Sequence, residues 1–166
     1  VLAAREWAAG DPFLVMNGDN VYPMSALDAL AALEGPGVAG FERDNLVATS
    51  NIPADRIAAF ALIDTDDAGH LRGIVEKPSP ADVDRAGGHA LVSMNLWRFD
   101  PRIFDACRDV PASLRGEYEL PSAVMLARAR GMALTVVRSL GPVLDLSRRG
   151  DVAEVTRRLT GETTPA

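Results

Sequence analysis

Residues 13–23 read FLVMNGDNVYP: four apolar side chains, then at once Asn, Gly, Asp and Asn. Phe13 to Met16, bounded by Asp11-Pro12 and Asn17-Gly18, has the length and flanks of a short strand buried on both faces. In an open parallel sheet such strands carry ligand-meeting groups at their carboxyl ends. Asp19 then stands on the rim of a cleft, with little in its neighbourhood to neutralise its charge. The alternative is a solvated turn, since Asn-Gly and Gly-Asp are common loop dipeptides.

Outward from this stretch, helical and strand patterns alternate. VLAAREWAA at 1–9 reads as a helix stopped by Gly10. PMSALDALAALEG reads as another, with Ser25 near its start, Leu27, Leu30 and Leu33 on one face, and Gly35 past its end. GVAGFE at 37–42 is the next strand. IAAFALID and HLRGIVEKP flank TDDAG, so Asp67 to Gly69 forms a hairpin turn and residues 58–77 an antiparallel insertion. HALVSMNLWRF at 89–99 is a strand, and PRIFDACRDV a helix with Pro101 in its first turn. ELPSAVMLARARG then gives a helix, MALTVVRS a strand and GDVAEVTRRLTG a last amphipathic helix. The expected fold class is α/β, a mixed, mainly parallel sheet with helices on both faces. Residues 1–160 form one domain and 161–166 a frayed tail.

The 166 residues are 48% hydrophobic, enough for one domain with a sizeable core. A net charge of −6 supplies no general basic field for nucleic acid or an anionic membrane, so neither is an expected partner. No apolar run reaches transmembrane length, and the start lacks the regions of a signal peptide. The sole cysteine, Cys107, lies on an apolar helical face as a buried thiol. Together these favour the cytoplasm. The first residue is Val, which suggests that residue 1 is not the natural start.

Four segments carry candidate chemistry. In GIVEKP, Glu76 and Lys77 are adjacent at a strand end, and Pro78 stops regular pairing. Neighbouring strand residues face opposite sides, so both reach one ligand only where the strand ends or twists. Glu76 suits sugar hydroxyls and Lys77 a phosphate, against the plain reading of a solvated Glu-Lys edge. In GPVLDLSRRGD, Asp145 is a second isolated acid after an apolar run, against the plain reading of a turn residue. Two such carboxylates suit a magnesium ion that keeps several waters and also binds substrate phosphates. RGEYELP adds Glu117 and Glu119 beside Arg115, which also reads as an acidic helix entry. His70 and His89 have no metal-ligating neighbours, Trp97 and Phe99 share a core face, and Arg148 and Arg149 read as a solvated pair.

The order of FLVMNGDNVYP, FALIDTDDAGHLRGIVEKP, LVSMNLWRFDPRIF, GEYELPSAV and GPVLDLSRRGDVAEV resembles the sugar-phosphate nucleotidyltransferase family, the sugar-nucleotide pyrophosphorylases, over most of residues 1–159. The resemblance implies a Rossmann-like nucleotide-diphospho-sugar transferase domain. Its implied reaction transfers a nucleoside monophosphate from a nucleoside triphosphate to a sugar 1-phosphate, with release of pyrophosphate. By position it implies Asp19 and Asp145 as the Mg2+ pair, Gly18 in the substrate-binding turn, Glu76 and Asn95 as sugar contacts, and Lys77 as the sugar-phosphate contact. Asp19, Lys77 and Asp145 are the implied catalytic residues.

The sequence also departs from the family pattern. The family's first strand and Gly-rich, Arg-containing loop have no counterpart, so the N-terminal part of the domain is expected to be missing and residues 1–166 alone inactive. Without that strand an open sheet edge invites self-association, so a homo-oligomer stays open. Phe60-Ala61 stands where the family often has an aromatic-Gly pair, and no Gly follows Asp145 directly. Asn95 is read as the sugar-binding Asn. The alternative puts it at the family's following Gly, with Ser93 in the Asn's place. Two other functions remain: a noncatalytic sugar-nucleotide-binding or regulatory domain, and a metal-dependent glycosyltransferase.

Overall fold

A computed structural model describes residues 1–87, 90–114 and 116–161. A 3-10 turn, Leu2–Ala4, leads into helix α1, Arg5–Ala8, which ends with Ala9 and Gly10 at positive φ. Strands β1, Phe13–Val15, and β2, Asn20–Val21, precede helix α2, Met24–Ala31. Then come β3, Gly37–Glu42, α3, Arg43–Thr49, and α4, Ala54–Ala58. The hairpin β4, Leu62–Thr65, and β5, Leu71–Val75, is followed by α5, Pro80–Ala86, and the long strand β6, Leu91–Phe99. Helices α6, Ile103–Asp109, and α7, Leu120–Ala129, lead to β7, Thr135–Ser139, β8, Leu144–Asp145, and α8, Asp151–Thr160.

The main sheet runs β5-β4-β6-β3-β7, and β1 also pairs with β6. The start of β6 takes β4, with Leu62 opposite Val92, and its end takes β1, with Phe13 opposite Phe99. Strands β1, β3, β4 and β7 run one way and β5 and β6 the other. The expected α/β class therefore holds. Only β3 and β7 are hydrogen-bonded parallel neighbours, because β6 is inserted among the strands that share their direction. Gly37 makes that pairing sterically possible: a Cβ there would lie 2.8 Å from the Thr135 carbonyl oxygen.

Alternation along the strands creates a core on each face. Leu91, Trp97 and Phe99 of β6 join Ile103 and Phe104 of α6 and Val124 of α7. Val92, Met94 and Leu96 turn the other way, toward Leu30 of α2, Leu46 of α3 and Ile57 of α4. Val92, Leu96, Trp97 and Phe99 are fully buried, each contributing about 1.5–3 kcal/mol through its apolar surface.

Several local expectations change. Strand β1 is not buried on both faces: Phe13 is buried, Leu14 and Val15 are half-buried, and Met16 is 45% exposed. It pairs with β6 alone, so among the described residues no second strand flanks its other edge. The IAA of IAAFALID closes helix α4 and its connection, and strand structure starts only at Leu62. Helices α3 and α5 arise in stretches whose periodicity is too short to announce them. The hairpin turn is as expected, with Gly69 at φ 80° and the Asp66 carboxylate accepting from the Ala68 and His70 backbone N–H groups. Helix 1–9 is divided by the 3-10 turn, and the strand expected at 89–99 is described from Leu91. His89, Arg115 and the tail beyond Gly161 lie outside the described residues.

Candidate active site

The two carboxylates are brought together by a separate two-stranded ribbon. Strand β2 pairs antiparallel with β8, Asn20 opposite Asp145, and the Leu146 N–H donates to the Asp19 carbonyl oxygen at 2.8 Å. Asn51 flanks the other side of β8: its Nδ2 donates to the Asp145 carbonyl and its Oδ1 accepts from the Asp145 N–H, both at 2.8 Å. A side-chain amide thus acts as a one-residue strand and fixes the backbone of Asp145. Asp145 itself is 4% exposed, buried rather than placed in a solvated turn. Its carboxylate accepts from Arg56 Nη2 at 2.5 Å, Ser147 Oγ at 2.9 Å and Ser147 N–H at 3.0 Å. Asp19 is exposed, and among the described residues its carboxylate makes no hydrogen bond or ion pair. Asp19, Asp145, Arg56 and Ser147 line a small cavity of about 120 Å³ with Asn17, Phe60, Ser93 and Asn95.

A buried phenol fixes the wall between these carboxylates and β6. The Tyr22 hydroxyl donates to the Met94 carbonyl oxygen at 2.6 Å and accepts from the Asn17 N–H at 3.3 Å. Burial pushes its pKa up to about 12. Its acceptor lies in a bulge, where register slips between Val38 opposite Trp97 and Gly40 opposite Ser93. Asn95 sits inside that bulge at φ 55°, in the left-handed region that a side chain normally avoids. Ser93 is buried, and its Oγ accepts from the Asn95 N–H at 3.4 Å.

The Glu-Lys pair satisfies the condition that its strand end there. Strand β5 stops at Val75, and Lys77 adopts φ 48°, which turns the chain before Pro78. Ser79 then caps α5: its Oγ accepts from the Asp82 N–H while the Asp82 carboxylate accepts from the Ser79 N–H. Between these anchors Glu76 and Lys77 both line a cleft of about 710 Å³, opposite Glu117 and Glu119. Asn17, Phe60, Ser93 and Asn95 also line this cleft, so it adjoins the carboxylate cavity. Gly18 is exposed in the loop between β1 and β2 and lines neither the cleft nor the cavity.

Lys77 is the only lysine among the chain's 17 Lys and Arg residues. That compositional signal was available and singles out the position independently of any motif. Among the described residues, its ammonium makes no ion pair. Arg56, Asn51 and Tyr22 carry no comparable signal, since each acts on a partner distant in sequence or resembles an ordinary core or surface residue.

As oxygen donors, the two carboxylates are of the kind that suits a hard divalent cation. Asp19 offers an unpaired carboxylate, and Asp145 retains one acceptor position on Oδ1 after its three contacts are counted. Among the described residues no cluster of three or more His, Cys, Asp or Glu has metal-binding geometry. The remaining residues are structural. Trp97 and Phe99 stack at 5.7 Å in the core, and burial raises the Cys107 thiol pKa, which keeps it a weak nucleophile. His70 pairs locally with Asp66, and Arg148 and Arg149 are exposed. No described helix is long and apolar enough to cross a membrane.

The family profile described as "Nucleotidyl transferase" matches residues 1–139. The UTP–glucose-1-phosphate uridylyltransferase AglF of Haloferax volcanii is 28% identical over 156 residues, covering 94% of this chain and 60% of that protein. A glucose-1-phosphate thymidylyltransferase of Streptomyces griseus is 26% identical, covering 99% of this chain and 43% of its own length. The chain thus spans 60% of one relative and less than half of the other. Among solved structures, apo UDP-glucose pyrophosphorylase superposes with a TM-score of 0.73 at 16% identity, covering 97% of this chain and 58% of that one. UTP-bound UGPase from Acinetobacter baumannii gives 0.70 at 15% identity, over 98% and 55%. These two likenesses establish the Rossmann-like fold. The profile match, which runs through both strands of the hairpin and the cleft beside it, makes this chain a member of the nucleotidyl transferase family.

Proposed function

We propose that the protein transfers a nucleoside monophosphate from a nucleoside triphosphate to a sugar 1-phosphate, forming a nucleotide sugar and pyrophosphate. One observation carries the reading: the cleft lined by Glu76 and Lys77 shares Asn17, Phe60, Ser93 and Asn95 with the cavity lined by Asp19 and Asp145. Relatives named for glucose 1-phosphate make that sugar the first to test. A phosphate oxygen of the sugar 1-phosphate attacks the α-phosphorus, the bond to the β-phosphate oxygen breaks, and the electron pair leaves with pyrophosphate. Little covalent work falls to the protein, so positioning and charge neutralisation supply the catalysis.

Lys77 fits a point-charge contact to the sugar phosphate, and Glu76 accepts hydrogen bonds from sugar hydroxyls. Asp19 and Asp145 would hold Mg2+, which when bound neutralises triphosphate charge. The positive φ of Asn95 supports the alternative in which it stands at the family's Gly and Ser93 takes the sugar-contacting place. The reading carries a cytoplasmic location, where nucleoside triphosphates are made.

The test is pyrophosphate release from each nucleoside triphosphate with glucose 1-phosphate, using the longest form of the protein that its gene encodes. Lys77→Ala should lower kcat/KM for the sugar phosphate about a hundredfold and leave triphosphate binding nearly unchanged. Lys77→Arg should rescue only part of the loss, because a planar guanidinium puts its charge elsewhere. Equal losses toward both substrates would assign Lys77 to the fold, and no release with any sugar 1-phosphate would end the proposal.

A further inference from the structure

Asp145 is a buried acid that already has a counterion. Arg56 Nη2 lies 2.5 Å from Oδ2 and also donates to Ser147 Oγ at 3.1 Å, so the guanidinium is held at two points. Asp19, on the neighbouring strand's approach, has no such cation among the described residues. The cavity therefore presents one uncompensated carboxylate and one compensated carboxylate to the same incoming charge. A dication bound to Asp145 meets the full positive charge of Arg56 within a few ångströms, in a site where burial weakens screening. Arg56 can withdraw without disturbing the core. Its side chain is 29% exposed, and its helix is anchored by the next residue, Ile57, which is 1% exposed.

Resting on the two-carboxylate reading above, we propose that Arg56 is a resident counterion that competes with the divalent cation for Asp145. Metal uptake displaces the guanidinium from Oδ2, and its loss to Ser147 and Asp145 is offset by the new cation. Linkage makes the effect reciprocal: the factor by which Arg56 weakens the metal is the factor by which the metal loosens Arg56.

Mn2+ is the probe. Free Mn2+ is counted by electron paramagnetic resonance in titrations of the purified protein and of Arg56→Gln, with circular dichroism as the folding control. Arg56→Gln should bind Mn2+ on the order of tenfold more tightly than the parent. In the parent protein, phenylglyoxal modification at Arg56, mapped by mass spectrometry, should accelerate when Mn2+ saturates the site. If Arg56→Gln does not fold, this second measurement decides alone. Equal or weaker Mn2+ binding by folded Arg56→Gln, or an Arg56 modification rate indifferent to bound Mn2+, overturns the competition and leaves the carboxylate pair standing. Failure of both proteins to bind Mn2+ overturns the pair as well.

Discussion

Tyr22 joins two parts of the site that the chain places far apart. Its hydroxyl ties the Asn17 N–H, at the root of the Gly-Asp loop, to the Met94 carbonyl in the bulge of β6. Burial makes the phenol resist ionisation, and its pKa is pushed up to about 12 from an ordinary value of 10.0, against the opposing pull of the Asn17 N–H. The protonated form is therefore the one the fold favours. Its contribution is fully present below pH 10 and is lost as pH rises from there through about 12, where the unfolded chain has already released the proton. Over that window the loss amounts to about 2–3 kcal/mol. Tyr22→Phe should cost about 1–3 kcal/mol at pH 8, because it strands a buried carbonyl, and should flatten the alkaline fall. Urea unfolding from pH 8 to pH 12 checks both. Parallel alkaline losses in the two proteins would show that another group titrates. Nothing in the sequence distinguishes Tyr22 from any core aromatic, since its two partners become neighbours only on folding.

Within β6, regular pairing gives way to the bulge that carries Ser93 and Asn95 on the cleft wall. The left-handed conformation of Asn95 is one that glycine adopts at no steric cost. Asn95→Gly should therefore change stability by less than about 1 kcal/mol and leave KM for the sugar phosphate unaltered, whereas Ser93→Ala should raise it. A large KM increase in Asn95→Gly would return the sugar contact to Asn95. The existence of β6 was legible from its apolar run, but a bulge leaves no mark on hydrophobic alternation when it adds an even number of residues. Similar limits explain β1. Its four apolar residues indicate a strand, but local sequence says nothing about how many neighbours will cover it. The hairpin was easier to read because Asp66 and Gly69 satisfy its turn through contacts within five residues.

For the molecule as a whole, the site depends on residues from opposite ends of the chain meeting at the β2–β8 ribbon. If Asp19 and Asp145 act as one metal-binding unit, each Asn substitution should sharply reduce turnover, and the double variant should lose little more than the worse single one. Extra Mg2+ should partly rescue the singles and do less for the double. Pyrophosphate release against Mg2+ concentration is the measurement, and strictly multiplicative losses would mean that the two acids work separately. The two acids were legible because Asp145 directly ends a short apolar run and Asp19 follows one after Asn17-Gly18. The environment of Asp145 was not, for Asn51 and Arg56 reach it across more than eighty residues of sequence. A long-range ion pair has no local signature, and the isolated acid in GPVLDLSRRGD looks the same whether it faces water or a guanidinium.

The unique lysine gives the chain an unusual chemical asymmetry. Guanidinium groups carry its cationic pairing, from Arg72 on Asp64 to Arg158 on Glu154, while the one side-chain amine faces the cleft. Acylating reagents, which spare arginine, thus have a single side-chain address on these 166 residues. Attachment there would erase the charge at Lys77 without severing an ion pair elsewhere on the chain. Modification at Lys77, mapped apart from the α-amine, then becomes a direct readout of cleft occupancy.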